Sequence, residues 1–331
     1  MINDPTRIQS FARSAFLGSL VADALSMPVH WYYNQRSIDS DYPDLIRSAG
    51  YLSPKNPHPD SILWRSQYSP PSKELDILRE QSRFWGQRGI HYHQFLSAGE
   101  NTLNFRLASI LYKLIRRQRD YDPEAWLDQY VTFMLTPGQH RDTYVEEYHR
   151  HFFNNLAANR KPINCGVRDI HIGGLVAVPA IVAALGPMHH DLKRVIRLHV
   201  SLTHKDDDVL EAADVLSTIL IHTCKGDHLR EVILAEASDW ISSAKIEKWS
   251  KYPDQHVVGH ILSSACYIKD AFPAALYLAW RHADDFHTGI TSNARCGGDN
   301  CHRGAVVGSL LGASSRIPDE LLEHLLIRDT L

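Results

Sequence analysis

The sequence contains no long apolar run. Its longest, Gly174 to Gly186, is interrupted by Pro179 and falls short of the roughly 20 apolar residues that a membrane helix needs, so no membrane partner is expected. Cysteine is scarce. There are five in 331 residues, an odd number without a repeated Cys-x-x-Cys spacing, which argues against a disulfide scaffold and for a reducing compartment. The opening residues Met1 to Arg7 lack the charged and apolar regions of a secretion signal, and a cytoplasmic location is expected. Basic runs are also missing. Net charge is -3, and the one basic cluster, Arg116-Arg117 with Arg119, closes a helical pattern, where cations suit the helix dipole. No nucleic-acid surface is expected. No stretch alternates as paired strands and no fixed-period repeat occurs, which leaves an all-α fold class.

What is present supports that class. A hydrophobic content of 44% with 22% charged residues describes a globular chain with a sizeable core, read as a single domain over residues 1–331. Asp4-Pro5 and Asp122-Pro123 each supply an N-cap followed by proline at the first helical position. Thr136-Pro-Gly138 stops the second of these helices. Thr143 and Glu146 have the spacing of a capping box ahead of a helix from Tyr144 to Ala158. Asp206 or Asp207 caps a helix through Val209, Leu210, Ala213 and Leu220, and Pro318-Asp319-Glu320 opens a last helix reaching Leu325 and Leu326. The region from Tyr32 to about Pro71, extending as far as residue 90, breaks the pattern. It is rich in Pro, Ser, Tyr and Asn, and such a long irregular segment is usually functional or disordered. It reads either as a cover over a cleft, with Trp31, Tyr32, Tyr33, Tyr51, Trp64 and Tyr68 available to stack on a ring, or as an insertion that packs its aromatics on the body.

The densest signal lies late, in Arg295-Cys-Gly-Gly-Asp-Asn-Cys-His-Arg-Gly304 and the small-residue stretch through Ala313. Gly304, Gly308 and Gly312 are spaced by four, so they share one narrow helix face that another backbone can approach. Asp299 falls at the start of that helix, beside unpaired N–H groups that favour anions and polar ligands. Gly297-Gly298-Asp299 reads equally as a rigid functional turn or as a tight turn with an N-cap.

Four segments, in order, resemble the ADP-ribosylglycohydrolase family (the DraG and crystallin J1 group). They are Gly18-Ser-Leu-Val-Ala-Asp-Ala-Leu-Ser-Met-Pro28, Thr203-His-Lys-Asp-Asp-Asp-Val-Leu-Glu-Ala-Ala213, Phe272-Pro-Ala-Ala-Leu-Tyr277, and the Gly-Gly-Asp turn with its glycine helix. The resemblance implies a compact orthogonal multi-helix bundle and cleavage of a glycosidic bond at ribose in a small-molecule substrate. It implies two Mg²⁺ ions as well, held by a Thr-Asp-Asp-Thr motif and by two late aspartates. Here the sequence departs from the pattern. The early motif is Gly99-Glu100-Asn101-Thr102, the second late aspartate is Cys301 and the following threonine is His302. Thiols suit hard Mg²⁺ poorly, so no dinuclear pair is expected. Glu100 and Asp299, with waters, leave at most one weakly bound Mg²⁺. A zinc-like site from Cys301, His302, Asp299 and Glu100 is conceivable.

Three functional readings follow. In the first, Glu100 and Asp299 are the carboxylate pair of a glycohydrolase, His302 moves a proton, and Asn101 orients a hydroxyl. Thr102, Asp23, Gly297, Gly298, Asn300, Cys301 and Arg303 complete the substrate site, with Arg168 and the Gly173-Gly174 loop toward a diphosphate. In the second, the chain is an inactive ADP-ribose-binding or crystallin-like relative. In the third, it is a recruited enzyme for a small nucleoside-like substrate with Cys301 as nucleophile. A small buried cysteine is the plainer reading of Cys301. His91 and His93 are expected near the cleft, and His204 as a structural histidine. Oligomeric state is not legible.

Overall fold

The computed structural model describes residues 4–45 and 50–331. Among these residues fifteen α-helices follow in chain order: α1 (Pro5–Ser26), α2 (Gln35–Asp41), α3 (Leu103–Gln118), α4 (Pro123–Leu135), α5 (Glu147–Ala157), α6 (Val178–Leu185), α7 (Leu192–Ser201), α8 (Asp207–Cys224), α9 (Leu229–Glu236), α10 (Ser243–Trp249), α11 (Asp254–His256), α12 (Ile268–Arg281), α13 (Phe286–Arg295), α14 (Asn300–Ser314) and α15 (Asp319–Glu323). Among the described residues no strand forms. Extended contacts are limited to isolated bridges such as Val167–His204 and His171–Tyr267.

The helix starts follow local chemistry. Asp4 accepts from the Thr6 amide at 2.9 Å with Pro5 behind it, and Asp122 accepts from the amides of Glu124 and Ala125. Each satisfies N–H groups that the first turn leaves unpaired. Asp206, rather than Asp207, caps α8 by accepting from Asp208 N at 3.1 Å. The last helix is shorter than expected and ends at Glu323, before Leu325. The capping box is a correction. α5 begins at Glu147, Glu146 is its N-cap residue without a side-chain cap bond, and Thr143 Oγ1 instead accepts from Gln94.

The centre of the fold is the pairing of α1 with α14, both buried along most of their length. Backbones touch there because side chains are missing at the contact. A Cβ on Gly308 would lie 2.3 Å from Gly18 O, one on Gly18 would lie 2.2 Å from Gly308 O, and one on Gly312 would lie 2.5 Å from Ser14 O. The four-residue glycine spacing therefore does what the sequence suggested, and it fixes Asp299 at the mouth of α14 directly beside the C-terminal end of α1.

The expected cover, residues 32–90, contains α2, short 3-10 turns and irregular chain; its residues 46–49 lie outside the described residues. Its aromatics divide. Tyr33 lines the central cavity with neighbouring Trp31, Tyr32 is buried core, Tyr51 donates to Leu321 O and Tyr68 to Asp76, and Trp64 is exposed under the guanidinium of Arg88. Among the described residues no helix is long and apolar enough to cross a membrane.

Candidate active site

The late turn is held by backbone. Gly297 and Gly298 have φ of 64° and 61°, a left-handed conformation that glycine adopts without steric cost. A Cβ on Gly298 would sit 1.9 Å from Ser264 O. Gly298 N donates to Tyr32 O, Trp31 N donates to Gly298 O, and Asp299 N donates to Ser264 O. Beneath the turn the fully buried Arg303 donates to Asn293 Oδ1, Asn293 O and Gly297 O, each at 2.9 Å. Asn300 donates to Val29 O and Ala294 O. Arg303 and Asn300, expected to touch substrate, instead brace the turn, since their N–H groups are spent on carbonyls that would otherwise be buried unpaired.

This scaffold frees the Asp299 side chain. Although Asp299 occupies the N-cap position of α14, its carboxylate makes no cap bond. Oδ1 lies 3.0 Å from His30 Nε2 and 2.8 Å from His302 Nδ1. His30 Nδ1 lies 2.7 Å from His93 Nε2, and His93 Nδ1 lies 2.7 Å from Asp142 Oδ1. The far nitrogen of His302 is 2.8 Å from Asn104 Nδ2 and 3.3 Å from Glu146 Oε1. Asn104 Oδ1 accepts from Tyr148 at 2.8 Å and lies 2.9 Å from His149 Nε2. A continuous buried line of polar groups thus joins Asp142, His93, His30, Asp299 and His302.

Burial alone would raise the Asp299 carboxyl, but His302 and His30 beside it hold it far below the usual carboxylate range. Burial would lower His302, but Asp299 and Glu146 bring it well above an ordinary imidazole. His30 is pushed down to about 3, chiefly by burial.

Asp299 and His302 form part of the wall of a cavity of about 360 Å³, together with Glu146, Glu147, Gly173, His171, Cys266 and Arg65. Aromatic rings supply most of the remainder: Trp31, Tyr33, Tyr92, Tyr144, Tyr148 and Tyr267. Trp31 reaches it from a left-handed backbone (φ 62°), a conformation costing an L-residue roughly 1–2 kcal/mol, and its ring stacks on His30 with centroids 4.0 Å apart.

Several expected site residues lie elsewhere. The Glu100 carboxylate bonds the Ser97 amide and ion-pairs with Arg141. It does not line the cavity, so Glu100 and Asp299 do not face each other and cannot share an ion. A Gly99–Thr102 turn that directs Asn101 and Thr102 inward leaves Glu100 outward. Asp23 accepts from Asn101 Nδ2 at 2.9 Å and from Thr102 N and Oγ1 at 2.8 Å each. All three are buried, and together they tie the start of α3 to α1 rather than binding substrate. Cys301 is fully buried, its thiol directed at Asp23 O and pushed up by burial, which removes the nucleophile reading for it. Arg168 is 83% exposed and pairs with Asp206, away from the cavity, although Gly173 of the neighbouring loop lines it.

Other residues at the centre were missed. His30 stands two positions beyond the Gly18–Pro28 motif, and that adjacency was the only signal for it. Glu146 was hidden by its capping-box spacing. Asp142 offered no local signal. Neither His91 nor His93, both expected near the cleft, is part of the cavity wall: His93 stands behind His30, between it and Asp142, and His91 is bound to Pro28 O.

These residues do not fit a pair of Mg²⁺ ions. Hard cations take oxygen ligands, but both oxygens of Asp299 face imidazoles, the Asp23 oxygens are taken by three donors, Glu100 is outside, and Cys301 points away. The set at the centre is rich in nitrogen instead.

A family profile described as ADP-ribosylglycohydrolase matches residues 4–331. The chain belongs to the ADP-ribosylglycohydrolase family. One solved structure, titled an ADP-ribosylglycohydrolase-related protein complex, is similar with a TM-score of 0.63 and 22% identity, covering 98% of this chain and 95% of that one. At that identity the likeness establishes the all-α fold that the two share. No curated protein matches the sequence. This is a hydrolase family, and its members' departures from one another have to be read at the site itself.

Proposed function

We propose that this ADP-ribosylglycohydrolase relative hydrolyses an N- or O-glycosidic bond at ribose, in an ADP-ribosyl or nucleoside-like compound, without a pair of Mg²⁺ ions. One observation carries the reading: two carboxylates, Asp299 and Glu146, meet at the same imidazole on the wall of an aromatic-lined cavity. The rings suit the flat faces of a base or sugar, and Arg65 supplies a guanidinium for phosphate. Cleavage breaks the anomeric carbon–heteroatom bond, with the electron pair leaving on the departing group. The oxocarbenium-like charge that develops is stabilised by carboxylates held in a low-dielectric wall. Water adds to the anomeric carbon and its proton passes to Glu146, the carboxylate of the pair that keeps 19% of its side chain exposed.

Release of ribose or ADP-ribose from a panel of ADP-ribosylated and nucleoside compounds, followed by chromatography, tests the reading. Turnover lost in Glu146→Gln and Asp299→Asn, with helical circular dichroism retained, is the expected result. A protein that binds these ligands but releases nothing would be the inactive binder instead.

A further inference from the structure

We infer that His30 Nε2, Asp299 Oδ1 and His302 Nδ1 form a site for one transition-metal cation of the Zn²⁺ or Co²⁺ class. The three ligand atoms lie within 4.8 Å of one another and all three residues are buried; among the described residues they are the only such trio. The two nitrogens stand 3.0 and 2.8 Å from the same carboxylate oxygen. Ligands at about 2.1 Å from a metal, the usual Zn–N and Zn–O length, are separated by about 3.0 Å when they subtend a right angle. Two edges of the cluster, those that meet at Asp299 Oδ1, therefore already have the length of a coordination edge.

Ligand chemistry selects the ion. Two imidazoles and one carboxylate suit Zn²⁺, Co²⁺, Ni²⁺ or Fe²⁺ and suit Mg²⁺ badly. His302 stands where the resemblance puts a threonine, so the departure places an imidazole nitrogen beside Asp299.

The surroundings are those of held ligands. An imidazole that binds a metal through one nitrogen is fixed by a partner on the other. His30 turns its second nitrogen to His93, which rests on Asp142. His302 turns its second nitrogen to the Glu146 carboxylate, which accepts its N–H. Asp142 has no other function in the site described above, and a buried carboxylate placed two rings from Asp299 is accounted for by this arrangement. Asp299 and His302 also border the cavity, which leaves a side open for water or substrate. A bound cation takes the place of the protons that otherwise bridge the two rings to Asp299.

The site overlaps the proposed hydrolase centre but does not depend on hydrolysis. The test uses the full chain, stripped with a chelator and titrated separately with Co²⁺, Zn²⁺ and Mg²⁺ by calorimetry, with Co²⁺ absorption in the visible as a second readout. One equivalent of Co²⁺ or Zn²⁺ is expected, undisturbed by millimolar Mg²⁺. His30→Ala and His302→Ala, checked for folding by circular dichroism, are expected to lose about 100-fold or more in affinity. Asp142→Asn keeps the side-chain shape and is expected to lose about 10–100-fold, the usual cost of removing an outer-shell partner; it decides the matter if the alanine variants do not fold. No saturable Co²⁺ or Zn²⁺ binding, or binding that Asp142→Asn and the folded histidine variants leave unchanged, overturns the inference. Hydrolysis by a protein that takes up no metal would end this inference and leave the proposed function standing; metal uptake without turnover on any compound would do the reverse.

Discussion

Glu146 Oε1 lies 3.3 Å from His302 Nε2, and Asp299 Oδ1 lies 2.8 Å from the opposite nitrogen of the same ring. The imidazole is thus clamped between a carboxylate at the head of α5 and another at the head of α14, elements far apart in sequence. In contrast, Glu100, the acidic residue at the matched motif position, points to Arg141. Glu146→Gln should therefore lower kcat for glycoside release by about 10²–10⁴, the usual contribution of a general acid or base, while Glu100→Gln should leave kcat within about twofold. Steady-state kinetics on any cleaved compound decides. Equal losses from the two variants would return Glu100 to the site.

The close approach of α1 and α14 is equally open to test. Gly308→Ala forces a methyl to within 2.3 Å of Gly18 O and 2.6 Å of Ala22 Cβ, and neither backbone can move without shifting Asp299. Overpacking of this kind costs about 1–3 kcal/mol, and a thermal midpoint lowered by several degrees is expected. Gly304→Ala meets its nearest atom, Asn293 Nδ2, at 3.1 Å, a side-chain contact with some room to adjust. Differential scanning calorimetry should rank Gly308→Ala well below Gly304→Ala; the opposite order would contradict the packing described.

The same comparison explains what the sequence could reveal. Glycine spacing, proline at helix starts and capping aspartates act over a few residues, so α1, α4, α8 and α14 were legible, as was the turn that presents Asp299. The family resemblance located Asp299 and His302. It misled at Glu100, because a side chain's direction after a loop depends on what it meets, here Arg141 and the Ser97 amide. His30, Asp142 and Glu146 join the centre through contacts between distant segments, which no local pattern encodes. Glu146 shows the hazard most clearly: three residues after Thr143 it satisfies a capping rule, yet it faces His302.

Thiol chemistry should follow burial, not motif position. Cys165, Cys224, Cys296 and Cys301 are buried, and Cys266 alone is partly exposed, on the cavity wall next to His171. Iodoacetamide should alkylate Cys266 first in the folded protein, with Cys301 labelled only after unfolding, as read by peptide mass spectrometry. A compound that occupies the cavity should slow the reaction. Early labelling of Cys301 would mean that the α1–α14 contact opens far more readily than its packing implies.

The Asp169–His171 pair gives the protein a pH signature. His171 Nδ1 lies 2.8 Å from Asp169 Oδ1. Burial would lower His171, but bonds to Asp169 and Cys266 bring it up to about 11 from 6.5, while Asp169 is held at about 2 against a reference of 3.8, despite burial, by His171 and His204. A raised pKa contributes stability that is complete below 6.5 and is lost as pH climbs through 11. A depressed one contributes stability above 3.8 that is lost as pH falls through 2. The two overlap between 3.8 and 6.5. Urea unfolding of wild type and His171→Ala should thus differ most near pH 5, and the difference should shrink steadily toward pH 10–11. Wild type would lose its advantage because the unfolded histidine is already neutral there, whereas folding must still keep His171 protonated against a falling proton activity. A difference that stays constant from pH 5 to 10.5 would show that His171 acts through packing alone and that its pairing with Asp169 contributes nothing to the stability of the cavity wall.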